Sequence, residues 1–265
     1  MFQQNTLKRR LAQGDALFGA WVETGSAINT EILGHQGFDF LVLDLEHGQG
    51  DLADAVDMLR AAQSTGTPCI VRVPSNDPVF LKRILDAGAN SIMIPNVETA
   101  AEAEAAVRAC RYPPQGRRGY AAPAVRASGY GRAADYMRRA NDELLIVAQI
   151  ESAQAVAVAA EICAVDGIDV PFLGVNDLAG SVGLLEQLDR PEARALVAQA
   201  EVAMRASGKP MGTVPGAGAT WQSLFASGYQ LVPLTSDVAL MRDAALAVVN
   251  ELTTFLATAT RRATP

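Results

Sequence analysis

The sequence predicts one (β/α)8 TIM barrel over residues 1–265, with an extra N-terminal helix. Three observations lead there. Eight short strand-like runs alternate with eight longer helical stretches along the chain. Most of the runs are apolar on both faces, as parallel strands covered by helices must be. The length also matches, since eight β/α units of this kind take about 250 residues.

The elements follow in order. Segment 3–13 reads as the extra helix. The strand-like runs are 17–24, 39–45, 68–74, 91–97, 144–150, 168–175, 209–214 and 229–234. The helical stretches are 26–36, 51–64, 78–87, 99–110, 153–163, 191–207, 218–227 and 237–257. Asp77-Pro78 and Arg190-Pro191 put proline in a first helical turn, and Thr99 opens an Ala/Glu-rich helix. Gly37, Gly66, Gly88, Gly208 and Gly228 each fall just past a helix, where a C-terminal glycine belongs. An open doubly wound sheet is the competing architecture, but no GxGxxG follows the first strand. The one long irregular segment is 111–135, "RYPPQGRRGYAAPAVRASGYGRAAD", long enough to suggest a functional loop or an oligomer contact.

Composition narrows the function classes. Hydrophobic residues make up 49% and charged residues 19%, enough for a large core. The net charge is −7 with no basic block, which argues against a nucleic-acid surface. No run approaches the ~18 apolar residues of a membrane helix. The N-terminus lacks the apolar stretch of a signal peptide, so a cytoplasmic protein is expected. Cys69, Cys110 and Cys163 are odd in number and widely spaced, and read as buried small hydrophobes.

Several strands end in costly polar groups. "DFLVLDLEH" closes on Asp44, Glu46 and His47; "IVRVP" carries Arg72; "VAQIES" carries Gln149 and Glu151; "FLGVNDL" carries Gly174, Asn176 and Asp177. Each has a plain structural reading as an ion-pair partner or helix cap. Together they occupy one end of one barrel, the end where barrel enzymes place their chemistry. Carboxylates on neighbouring strand ends, with no cysteine nearby, suit a hard cation such as Mg²⁺ or Mn²⁺. Arg72 offers a fixed fork of donors to a carboxylate or enolate oxygen. His47 can move a proton near neutral pH, and Asp44 is close enough in sequence to orient it. The three lysines, Lys8, Lys82 and Lys209, are badly placed for a Schiff base, so an aldolase on this barrel would use a metal.

The segments "FDFLVLDLEHG", "VRVP", "LDAGANSIMIPNVETAAEAEAAVRACRYPPQGRRGYA", "VAQIES" and "FLGVNDLAGSVG" resemble the HpcH/HpaI family of metal-dependent 2-keto-acid aldolases, in order over roughly residues 15–245. The resemblance implies a divalent metal (Mg²⁺, Mn²⁺ or Co²⁺) on Glu151 and Asp177, binding pyruvate or a related keto acid. Arg72 would hold the keto oxygen, Gln149 would contact the substrate, and main-chain amides of 174–177 would bind its carboxylate. His47 with Asp44 would be the acid/base pair. Asp86 would reach a neighbouring subunit's site, and Trp21 and Val214 would line the pocket. A homo-hexamer of two trimers is implied, with a small keto acid and an aldehyde as the only other partners. The chain departs from the family pattern in "DLEHGQ" and "GVNDLA", where relatives often read "DGEHAP" and "GPADLS". Those departures leave the acceptor aldehyde, and sugar-acid against aromatic-acid catabolism, open. Two alternatives stand beside this reading: a citrate-lyase or malyl-CoA-type lyase acting on a CoA thioester, and a non-catalytic binding protein on the same barrel.

Overall fold

Every strand pairs in parallel with its sequence neighbour, and the last pairs back to the first, closing the barrel β1 to β8 in chain order. The computed structural model describes residues 4–216 and 218–262, with side chains to residue 257. The strands are β1 (Leu17–Val22), β2 (Phe40–Asp44), β3 (Cys69–Arg72), β4 (Ser91–Ile94), β5 (Leu145–Ile150), β6 (Val170–Leu173), β7 (Met211–Thr213) and β8 (Tyr229–Ser236). The helices are α1 (Thr6–Ala12), α2 (Ala27–Gly34), α3 (Leu52–Thr65), α4 (Pro78–Asp86), α5 (Ala100–Cys110), α6 (Tyr136–Arg139), α7 (Ala153–Ala157), α8 (Ala159–Ala164), α9 (Val175–Gly180), α10 (Pro191–Ala206), α11 (Trp221–Ala226) and α12 (Asp237–Arg262). Residues 1–3, 217 and 263–265 of the expected single domain, including the expected first residue of the N-terminal helix, lie outside the described residues.

Local chemistry sets the helix ends. Asp51 and Thr99 each form a capping box, with Asp54 and Glu102, at the starts of α3 and α5. Pro78 and Pro191 sit in first turns as expected. Gly66 ends α3 at φ 77°, a backbone that glycine adopts without strain.

Alternation along the strands decides what faces inward. Residues two apart share a face. Leu17 and Trp21, Phe40 and Val42, Ile70, Met93, Leu145 and Val147, Val170 and Phe172, and Leu231 fill the barrel interior. Leu7 and Leu11 of α1 join that cluster and close the N-terminal end. Asn5 anchors α1 there. Its side chain caps the helix at Lys8 N and donates to Ser91 Oγ and the Glu143 carbonyl. The larger cluster lies between strands and helices and includes the three cysteines, all free and buried.

Two interior phenylalanines need glycine opposite them. A Cβ on Gly19 would fall 2.5 Å from the Phe40 ring, and one on Gly212 the same distance from Phe172. Gly19→Ala is therefore expected to destabilise the fold by about 1–3 kcal/mol through overpacking, read as a lower urea midpoint at unchanged slope.

Apart from shifts of a few residues at other element ends, four differences from the sequence reading stand out. Strand six ends at Leu173, not 175, because Gly174 turns the chain into the short α9. The predicted helix 153–163 is two helices, interrupted where Val158 leaves helical dihedrals (φ −118°, ψ 17°). Segment 111–135 is ordered around a small core of Tyr112, Ala122 and Tyr136, with a 3-10 turn at Arg126–Ser128. The last helix exists but does not cover the barrel. Leu240, Met241, Leu246, Val248, Val249, Leu252, Phe255 and Leu256 of α12 are all exposed.

Candidate active site

The inward parity of the strands carries directly to the rim. Phe40 and Val42 face the interior, so Asp44, two residues on, does too. The same step takes Ile70 to Arg72, and Val147 to Gln149 and Glu151. All four rim residues are buried. β2 and β3 pair in register, which sets Asp44 directly beside Arg72.

That adjacency becomes a bidentate ion pair. Arg72 Nε donates to Asp44 Oδ1 at 2.8 Å and Nη2 donates to Oδ2 at 2.6 Å. The guanidinium sits over the Trp21 ring, with Arg72 Cζ 4.4 Å from the ring centroid, a cation–π contact that helps hold the fork in place. Nη1 lies 3.1 Å from Glu46 Oε2, an ion-pair contact without hydrogen-bond alignment. Burial raises the Glu46 carboxyl above its ordinary value, and the positive charge of Arg72 opposes that rise.

The expected Asp44–His47 pair takes a different form. Asp44 Oδ1 accepts from the main-chain N–H of Glu46 at 3.0 Å and of His47 at 3.3 Å. Asp44 thus holds the His47 backbone, while its carboxylate is committed to Arg72 rather than to the imidazole. The ring is largely exposed at the mouth, with Glu46 Oε2 3.9 Å from Nε2. With two bonds from Arg72 and two from main-chain amides, the roughly four lone-pair sites of Asp44 are filled and none is left for the imidazole.

Glu151 forms the other half of the site. Gln149 Nε2 donates to its Oε1 at 2.6 Å and the Asn96 N–H donates to its Oε2 at 3.1 Å. Burial pushes the Glu151 carboxyl up to about 7; the Asn96 amide opposes this, and the charges of Asp177 and Glu46 add to it. Gln149 Oε1 is buried without a hydrogen-bond partner. Gly174 leaves room for the carboxylate, since a Cβ there would lie 2.4 Å from Glu151 Oε1. Asp177 and Asn176 stand exposed in the first turn of α9. Val214, half-buried after β7, packs against the interior cluster beneath the rim.

Asp86 is not brought to this rim. It ends α4 and pairs with Arg118 at 2.7 Å. Lys8 and Lys209 bond to carbonyls of Leu144 and Val165, just before β5 and β6, at the opposite end of the barrel. Two rim contributions have little sequence signal. Asn96 takes a left-handed backbone (φ 50°) to aim its N–H at Glu151, and only its being Asn hints at that conformation. Glu46 has no role readable from its sequence neighbours, and its contact with Arg72 depends on strand register.

The model of the HpcH/HpaI aldolase/citrate lyase family matches residues 17–244. The chain belongs to that family. This member is 42% identical over 242 residues to the 2-dehydro-3,6-dideoxy-6-sulfogluconate aldolase of Pseudomonas putida, covering 91% of the chain and 93% of that protein. It is 38% identical over 240 residues to a 5-keto-4-deoxy-D-glucarate aldolase of Shigella dysenteriae, covering 91% and 93%. A crystal structure of an HpcH/HpaI family protein from Burkholderia cenocepacia superposes with a TM-score of 0.90 at 36% identity, covering 94% of this chain and 99% of that one. The HpcH/HpaI member described here is therefore a carbon–carbon lyase of the aldolase type. The aldolase names of its relatives weigh against the CoA-thioester alternative and against a non-catalytic barrel.

Proposed function

We propose that the enzyme cleaves a 4-hydroxy-2-keto acid reversibly to pyruvate, or a related 2-keto acid, and an aldehyde. The observation that carries this is the buried rim itself: a guanidinium fork locked on Asp44 faces a mouth that also holds Glu151, a buried carboxylate bonded to Gln149 and the Asn96 amide.

Aldolases of this family are generally divalent-metal dependent. The residues fit such an ion. Glu151 is buried, held up to about 7, and acted on by the negative charges of Asp177 and Glu46. Two carboxylates with a neighbouring amide oxygen suit a hard cation that keeps several waters. Glu151 and Asp177 would hold it, with Mg²⁺, Mn²⁺ or Co²⁺ as the candidates. When bound, such a cation supplies Lewis-acid polarisation of a keto oxygen.

The chain's own groups do the rest. Arg72 has N–H donors left over from Asp44, and its fixed plane presents them to the charge that develops on the keto oxygen during cleavage. Gln149 Oε1 contacts the substrate, and main-chain amides of 174–177 take its carboxylate. Trp21 and Val214 form the apolar wall. His47 removes the proton from the 4-hydroxyl in cleavage and returns it in the aldol direction. Its exposure suits contact with the acceptor end of the substrate. Glu46, between Arg72 and the imidazole, steadies both.

The assembly proposed is a homo-hexamer of two trimers, supported by the apolar residues that α12 leaves exposed. In it Asp86 would approach a neighbouring site, carrying its Arg118 partner with it. Three free thiols support a cytoplasmic setting, and no helix among the described residues is long and apolar enough to cross a membrane.

A panel of 4-hydroxy-2-keto acids coupled to lactate dehydrogenase tests the reading. Pyruvate release with added Mn²⁺, Mg²⁺ or Co²⁺, abolished by EDTA, is the expected result. Full activity in metal-free buffer, or trapping of an imine by borohydride, would overturn it.

A further inference from the structure

Asp237 is the first residue of α12, buried, and remote in sequence from every rim residue. It has more bonds than a helix start requires. Ser236 Oγ already accepts from Ala239 N at 3.1 Å, the bond of an N-terminal cap. Asp237 gives one bond to its own helix, accepting from Val238 N at 2.9 Å. Of its other four, three go to the turn after β1 and one goes to Asn29 in the first turn of α2. Oδ1 accepts from Glu23 N at 2.9 Å; Oδ2 accepts from Thr24 N at 3.4 Å, from Asn29 Nδ2 at 3.1 Å and from the Thr24 hydroxyl. Asn29 Nδ2 also donates to Thr24 Oγ1 at 2.9 Å, so the carboxylate and its donors form a closed network. Burial alone would raise this carboxyl; the Thr24, Glu23 and Asn29 donors hold it below its ordinary value.

The turn that Asp237 grips is itself gripping the His47 loop. The Glu23 carbonyl accepts from Gln49 N at 2.9 Å. A Cβ on Gly48 would lie 3.0 Å from that carbonyl and 2.1 Å from the Asp44 carbonyl, so residue 48 is wedged between the two. Gly25 and Gly50 meet backbone to backbone, where a Cβ on Gly25 would lie 2.9 Å from Gly50 Cα. His47 is thus held on its N-terminal side by Asp44 and on its C-terminal side by residues 23–25. Its ring makes no hydrogen bond among the described residues and has only the 3.9 Å contact with Glu46, so its placement leans on this backbone clamp.

We infer that Asp237 is a positioning residue for His47, acting through the Glu23–Thr24 turn and the Gly48–Gln49–Gly50 segment. The inference rests on the reading of His47 as acid/base. It gives α12 a second role, since the helix that leaves the barrel is rooted in the network that places the proton-transfer group.

The test compares wild type, Asp237→Ala, His47→Ala and the double variant with saturating Mn²⁺ on the keto acid the wild type cleaves. Asp237→Ala should lower kcat about tenfold, as a misplaced catalytic group does, and leave KM within about twofold. In the His47→Ala background the same change should alter kcat less than twofold. Asp237→Asn, which keeps an acceptor for Glu23 N, should recover part of the loss. An equal tenfold drop in both backgrounds, or an unchanged kcat in folded Asp237→Ala, overturns the inference. A His47→Ala variant with wild-type kcat overturns the reading of His47 itself, a distinct result. A readout independent of turnover uses the fact that the chain has only two histidines. In ring-labelled protein the His47 imidazole signal should shift or broaden in Asp237→Ala while that of His35 stays fixed; two unmoved signals count against the clamp. If Asp237→Ala fails to fold, Thr24→Val removes one arm of the network and should lower kcat about threefold with the same loss of effect in His47→Ala.

Discussion

Replacing Arg72 with alanine is expected to give the largest combined loss of activity and stability of any single change at the rim. The side chain neutralises Asp44, which is fully buried, and contacts Glu46. Removing one partner of a buried pair leaves an uncompensated charge and destabilises by about 3–5 kcal/mol. Turnover should fall about 10²–10³-fold, the loss that follows removal of one preorganised donor from a developing oxyanion. The two effects separate by adding Asp44→Asn. The double variant should recover most of the urea midpoint and none of the turnover, because neutralising Asp44 removes the stranded charge without restoring the fork. Recovery of both together would mean that Arg72 acts only as a structural counter-ion. Arg72→Lys should be poor on both counts, since an ammonium cannot bond both Asp44 oxygens in one plane or stack on Trp21.

Glu151→Gln is the second. Turnover should drop at least about 10²-fold on the proposed roles, because a neutral amide oxygen holds a divalent ion far more weakly than a carboxylate does. The same change should make the metal-free protein more stable at alkaline pH. The ordinary glutamate value of 4.5 rises to about 7 in the folded chain. Between those two values the folded state binds more protons than the unfolded one, so stability falls as pH rises through the window. Above it the full penalty is present, on the order of 3 kcal/mol. Gln carries no such term. EDTA-treated wild type and variant should therefore unfold at similar urea concentrations near pH 4.5 and diverge by pH 8, with the variant the more stable. Equal pH dependence in the two proteins would show that Glu151 is not held protonated by its surroundings.

The strands, and the end of the barrel that carries the site, are legible because both follow from short-range patterns. A two-residue period puts Asp44, Arg72, Gln149 and Glu151 on the inner face once Phe40, Ile70 and Val147 are there. Helix starts at Asp51, Pro78 and Thr99 are equally local. What the sequence does not carry is pairing between strands. Asp44 looks like a partner for His47 because the two are three residues apart, yet its strand partner Arg72 is 28 residues away and takes the carboxylate. Glu46 gains its contact the same way. Asn96 reaches Glu151 across 55 residues through a backbone N–H, a donor every residue but proline has. Asp237 reads as an ordinary first-turn acid and only the closed barrel brings it to Thr24. The course of α12 is illegible for another reason: Met241, Val248, Val249, Leu252 and Leu256 recur at helical spacing and form an apolar stripe, but a stripe does not say which surface it covers, and here it stays exposed.

The stopper formed by α1 has a kinetic consequence. With Leu7 and Leu11 packed into the interior cluster, the barrel is closed at that end among the described residues, and on the proposed roles the substrate comes and goes at the rim. On the proposed roles the keto-acid half of the substrate sits deepest, against Glu151 and Arg72, while the aldehyde half lies outside it near His47. Traffic is then last in, first out. The aldehyde departs before pyruvate can, and in the synthetic direction the keto acid must be seated before an acceptor is of any use. An enzyme built this way releases its products in a fixed sequence, imposed by a helix at the far end that touches neither of them.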